Sequence, residues 1–215
     1  AALFQIIMTL LTYRKVFYFT HNDLHTNNVM FINTDVPYIY YKFNKSYYKV
    51  PTYGKLYKII DFGRSIYRFN NRIFCSDSFN QDGDASSQYN CEPFYNDKKT
   101  RIDPNFSFDL CRLGCSIYDF IIDESDNEKD FNELQKIVKY WCTDDENKNI
   151  LYKKSGEERY PNFKLYKMIA RTVHKHTPEA QLKNNIFKKF QINKLDVDNC
   201  NLDMLIDIDV IPSYI

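Results

Sequence analysis

Apolar residues return at helical intervals at the start of the chain, where Leu3, Phe4, Ile7, Leu10 and Leu11 predict a buried or amphipathic helix over the first dozen positions. The pattern then shortens. Val16 to Thr20 is β-branched and aromatic, Val29 to Ile32 reads as a strand, and Lys55 to Ile60 reads as its partner. Between those two runs lies a Tyr- and Lys-rich insertion, 34–53. Positions 64–108 are polar, rich in Ser, Asn and Asp, and carry no sustained period. Helical spacing returns with Ile117, Phe120 and Ile121 after Asp109, with Phe131, Leu134, Val138 and Trp141, and with Phe163, Tyr166, Ile169, Ala170 and Val173. Thr177-Pro178-Glu179 has the form of a capped helix start with proline in the first turn, opening a helix with Leu182, Ile186 and Phe190 on one face. From 193 onward the chain is an acidic tail in which Leu205 to Val210 alternates apolar residues with Asp, as in a docking strand or an extended tail.

Composition narrows the classes without choosing among them. The 215 residues are 44% hydrophobic and 27% charged, ordinary for a globular protein, and the formal net charge of +1 gives no bias toward nucleic acid or anionic membranes. No apolar run approaches the ~18 residues that span a bilayer, so no membrane partner is expected. Six cysteines with no C-x-x-C pair argue against a zinc module or a disulfide scaffold and for a reducing, intracellular compartment. Cys111 and Cys115, at i and i+4, read as packed thiols, and His174 and His176 as surface or capping residues. The tyrosines of 34–53 among Lys42, Lys45 and Lys49 could form a basic aromatic surface for single-stranded nucleic acid. Three lysines and no arginine favour an extended hairpin with a solvated face. The opening Ala1-Ala2-Leu3, without an initiator Met, suggests a fragment.

Two stretches carry the chemistry: His21-Asn22-Asp23-Leu24-His25-Thr26-Asn27-Asn28, and Asp61-Phe62-Gly63 at the end of an apolar run. They fit H-x-D-L-x-x-x-N and D-F-G, and Asp109-Leu110-Cys111-Arg112-Leu113-Gly114 is similar to the D-x-W-S-x-G that opens the central buried helix of the same family. The chain from Leu3 to Phe190 therefore resembles the C-terminal lobe of eukaryotic-type protein kinases, in texture most like the divergent kinases of large DNA viruses. The resemblance implies a mainly α fold with a small β-hairpin, a kinase-like lobe over 1–192 with 34–53 as an insertion and 61–108 as the activation segment. It implies ATP and Mg²⁺ as cofactors. It also implies a protein substrate phosphorylated on Ser or Thr, a small N-terminal lobe elsewhere in the parent chain, and an intracellular setting, in a host cell or virion.

The residue roles follow from the same resemblance. Asp23 accepts the proton of the attacking hydroxyl, Asn28 and Asp61 bind Mg²⁺, Phe62 and Gly63 complete the nucleotide side, and His21 and Asp109 support the loop. Such chemistry needs placement and charge neutralisation more than covalent work, so three oxygen-bearing side chains suffice. Several departures qualify it. Asn22 stands where many regulated kinases have an arginine that pairs with a phosphorylated activation loop, so Ser76, Ser78, Ser86, Ser87 and Thr100 are not expected to switch activity. No A-P-E precedes Asp109, and no Gly-rich loop or V-A-I-K lysine is present, so the chain alone is expected to bind ATP weakly. His25 occupies the position of the lysine that contacts the γ-phosphate. H-N-D-L-H-x-x-N is also similar to the loops of aminoglycoside and choline kinases, leaving a small-molecule kinase and a non-catalytic binding module as alternatives.

Overall fold

The first helix, α1 (Ala2–Phe17), is apolar on nearly every side, and Phe4, Ile6, Ile7, Met8, Leu10 and Leu11 are all buried. A helix with no polar face sits inside a core, not on its surface. In the computed structural model, which describes residues 1–123, 127–194 and 205–215, it is surrounded by sheets on one side and helices on the other. Its one buried polar side chain, Gln5, reaches the backbone of strand β4 (Lys55–Ile59), donating to Lys55 O at 3.2 Å and accepting from Tyr57 N at 3.0 Å. That pairing satisfies a buried amide and docks the strand on the helix.

Strand β4 pairs antiparallel with β1 (Val29–Asn33) in the register Val29↔Ile59 through Asn33↔Lys55, as the two apolar runs suggested. The intervening segment is more than a solvated hairpin. Strands β2 (Tyr38–Phe43) and β3 (Ser46–Pro51) form the centre of a four-stranded sheet of order β7-β3-β2-β8, in which β7 is Gln191–Ile192 and β8 is Leu205–Asp207. Ile39, Tyr41, Tyr48 and Val50 turn one face of this sheet into the core, where Phe4 contacts the rings of Tyr41 and Tyr48. The β2–β3 turn uses Asn44 and Lys45 at positive φ, the turn whose twist matches a hairpin. The Asp209 carboxylate accepts from both of their amides, at 2.7 and 3.0 Å. A third sheet, β5 (Ile66–Phe69) with β6 (Arg72–Cys75), follows Gly63.

The expectation of a mainly α fold is therefore corrected. Among the described residues the chain is an α/β mixture of eight strands in three sheets with six helices, 33% helical and 21% strand. The difference comes from the insertion and from the segment after Gly63. The insertion, expected as an extended hairpin with a solvated face, forms that hairpin but buries one face at the centre of a four-stranded sheet, and the start of 64–108, expected to be irregular, closes into the β5–β6 pair. Part of the acidic tail, 195–204, lies outside the described residues. The remainder docks: β8 runs parallel to β2 with Tyr40 opposite Leu205, Lys42 bridges Asp207 at 2.7 Å, and Ile208 is fully buried.

Helix α2 (Phe108–Ile121) lies between two apolar clusters. Leu110 and Leu113 enter the cluster around α1, whereas Phe108, Cys111 and Cys115 enter a second one with Ile66, Phe79, Tyr89 and helix α4 (Lys164–Thr172). Helix α3 (Glu133–Trp141), opened by an Asn132–Gln135 capping box, crosses α2 so closely that a Cβ on Gly114 would meet Trp141 Cβ at 2.8 Å. The predicted helix after Thr177 is broken into two short ones, α5 (Pro178–Gln181) and α6 (Asn185–Lys188). Cys111, Cys115 and Cys142 are buried thiols. His176, expected at the surface, is also buried and pairs through Nε2 with Thr143 O at 2.8 Å, while His174 is exposed against Asp145.

Candidate active site

The loop that follows α1 is held from beneath. Tyr18, in the left-handed region at φ 53°, ends the helix, and Thr20 bridges to Ile66 on β5. His21 and Asn22 are then fully buried. Asp109, in the first turn of α2 and 3% exposed, accepts from the backbone amides of both, each at 2.8 Å. Burial pushes the Asp109 carboxyl up, while the charge of His21 and the two amides pull it down. A carboxylate at the N-terminal turn of a helix is also favoured by the helix dipole.

Asn22 takes up φ 64°, and its side chain ties three segments together. It donates to Thr20 O and Arg64 O at 3.2 and 3.0 Å and accepts from the Tyr89 hydroxyl at 2.7 Å. Tyr89 belongs to the long segment after Gly63, so a neutral hydrogen bond anchors that segment to the loop.

Asp23 follows, half-buried, with three groups around its carboxylate. Tyr166 of α4 donates to Oδ1 at 2.6 Å, Arg64 Nη1 stands 3.6 Å from Oδ2, and His25 Nε2 lies 3.9 Å from Oδ1. Asn28, at the end of a single 3₁₀ turn, donates through Nδ2 to Asp23 O at 2.9 Å and contacts His25 Nε2 at 3.3 Å. Burial lowers the pKa of His25, and Arg112 and His21 act in the same direction against Asp23 and Asp61, so the imidazole is neutral at pH 7.

The β1–β4 register delivers Asp61. Ile60 N donates to Asn28 O at 3.0 Å, and His21 Nε2 pairs with Ile60 O at 2.9 Å, so the residue before Asp61 is bonded to both ends of the loop. Asp61 itself is exposed and sits at φ 60°, a conformation that costs a non-glycine residue roughly 1 kcal/mol or more. Its Oδ1 accepts from Gly63 N at 3.2 Å. Phe62 turns back onto the rings of Tyr13, Phe19 and His21, with centroids 6.0, 5.8 and 5.7 Å away. Asp23, His25, Asn28, His21 and Asp109 are thus joined by direct contacts, and Asp61 is tied to them through the backbone of Ile60. Among the described residues, no group of three or more His, Cys, Asp or Glu side chains is arranged to hold a metal ion. The oxygen donors gathered here are one amide and two carboxylates.

Three participants had no role in the sequence reading. Arg64 directly follows Asp61-Phe62-Gly63 and could have been suspected from that position. Tyr166 and Arg112 could not, because their use depends on how α2 and α4 pack. The Arg112 guanidinium lies 5.0 Å from the Tyr166 ring centroid, and burial raises the Tyr166 pKa. No protein-family model matches the chain, and no curated protein matches it either.

Proposed function

We propose that this chain is the catalytic lobe of a protein-kinase-like phosphotransferase that uses Mg²⁺ and ATP to phosphorylate Ser or Thr hydroxyls. The observation that carries the reading is the double clasp on the loop: Asp109 on the amides of His21 and Asn22, and Asn28 Nδ2 on Asp23 O. The first presents Asp23 at the surface of a rigid core. The second commits the nitrogen of the Asn28 amide, and among the described residues no hydrogen bond ends on its Oδ1.

Asn28 Oδ1 and the exposed carboxylate of Asp61 are hard oxygen donors. They suit Mg²⁺, which retains several waters and takes its remaining ligands from phosphate oxygens. When bound, the metal would neutralise charge on the phosphates. The chain's own residues supply the rest. Asp23 accepts the acceptor's proton, Arg64 offers a positive charge beside it, and neutral His25 offers a hydrogen bond without a full charge.

The test uses the full-length protein with Mg²⁺ and radiolabelled ATP against a panel of protein and small-molecule acceptors. Asp23→Asn is expected to lower turnover by about 10² to 10⁴ with the fold intact. Unchanged turnover would remove Asp23 from this role, and labelling confined to small-molecule hydroxyls would move the reading to the small-molecule kinases.

A further inference from the structure

The hydroxyl of Tyr166 makes the shortest contact to Asp23, 2.6 Å to Oδ1, within the range of charge-assisted O–H···O bonds. Two roles fit a phenol at that place. It could mimic an acceptor hydroxyl and compete with substrate, or it could be a fixture that aims the carboxylate. A competitor has to leave when the acceptor arrives, and this ring is clamped. It stacks on Phe163 at 5.2 Å and 18°, tilts against the fully buried Phe108 at 6.1 Å, and lies under the guanidinium of Arg112. Its helix is pinned by Ile169 and Ala170, both buried beside α2. Because α2 also carries Asp109, the backbone before Asp23 and the side chain of Asp23 are braced from the same framework.

We infer that Tyr166 is a positioning residue: it holds Oδ1 of Asp23 and leaves Oδ2, on the Arg64 side, as the oxygen that receives the acceptor's proton. The inference rests on the phosphotransferase reading above. In the step it serves, the acceptor O–H proton passes to Oδ2 and the acceptor oxygen bonds to the γ-phosphorus of ATP. The bond from that phosphorus to the bridging oxygen breaks, and its electron pair leaves with ADP.

The test is Tyr166→Phe in the full-length protein, which keeps the ring and removes only the hydroxyl. Initial rates are measured against acceptor concentration, with MgADP binding followed by calorimetry. A carboxylate freed to rotate is expected to lower kcat by about 10- to 100-fold, since a misplacement near 1 Å costs on that order. Acceptor KM and MgADP affinity should stay within about threefold. A kcat within twofold of wild type overturns the assignment. So does a fall in acceptor KM with kcat retained, because that is the signature of a displaced competitor. A wild-type protein that neither binds MgADP nor transfers phosphate instead defeats the phosphotransferase reading, and this inference falls with it.

Discussion

Replacing Asp109 by alanine isolates the contact on which the loop depends. The carboxylate receives two buried amide donors at 2.8 Å and is itself 3% exposed, so water cannot take its place. Each amide left without a partner costs about 1–3 kcal/mol, or about 2–6 kcal/mol for the pair. Part of that is returned, because burial pushes the Asp109 carboxyl up and its removal relieves that strain on the fold. The expected net loss is about 2–4 kcal/mol, a large share of the 5–15 kcal/mol that typical domains have. The chain offers its own probe. Trp141 is its single tryptophan, fully buried against α2, so urea titration followed by tryptophan fluorescence reads the packing of the helix that carries Asp109. Asp109→Asn should fall between wild type and alanine, since it keeps one acceptor oxygen but turns an N–H toward a donor. A loss below about 0.5 kcal/mol for Asp109→Ala would refute the claim that this residue holds His21 and Asn22 in place.

Two further outcomes concern stability. His176 has a pKa lowered first by burial, and its Nδ1 has no hydrogen-bond partner among the described residues, so the unfolded chain takes up a proton more readily than the fold does. Stability should fall as pH drops below about 6.5, by up to about 1.4 kcal/mol per pH unit for one proton. His176→Gln should lessen that slope between pH 7.5 and 5.5 in urea titrations, and an unchanged slope would count against it. Gly114→Ala places a Cβ 2.8 Å from Trp141 Cβ and 3.3 Å from Cys142 Sγ. The overpacking of about 1–3 kcal/mol should outweigh the better helix propensity of alanine, which is worth about 1 kcal/mol. A raised thermal midpoint would show that α3 can move aside.

Much of the assembly around Asp23 was legible because its parts are local. His21 to Asn28 span one loop, Asp61 to Gly63 one turn, and Asp109 opens a helix whose period is visible. What stayed hidden depends on distance along the chain. The Tyr166 hydroxyl meets a carboxylate 143 residues away, and helical spacing placed Tyr166 on an apolar face without indicating where its polar end goes. The hairpin of the insertion was legible, but not the face that it buries. The six tyrosines of 34–53 look like a wet aromatic surface, but tyrosine tolerates a pleated, half-buried face, and the sheet buries Tyr40, Tyr41 and Tyr48. Strand partners supplied from near the far end of the sequence cannot be read from the hairpin itself.

The pairing of β2 with β8 spans 165 positions, from Lys42 to Asp207. During synthesis the Tyr38–Phe43 edge is made some 165 positions before its neighbour and waits until that neighbour emerges. For that interval an aromatic row of unpaired amides and carbonyls is available to any other nascent copy. Ribosome-bound intermediates of this protein should therefore be the species most prone to self-association, and a short peptide spanning 205–210 supplied in trans would shield them.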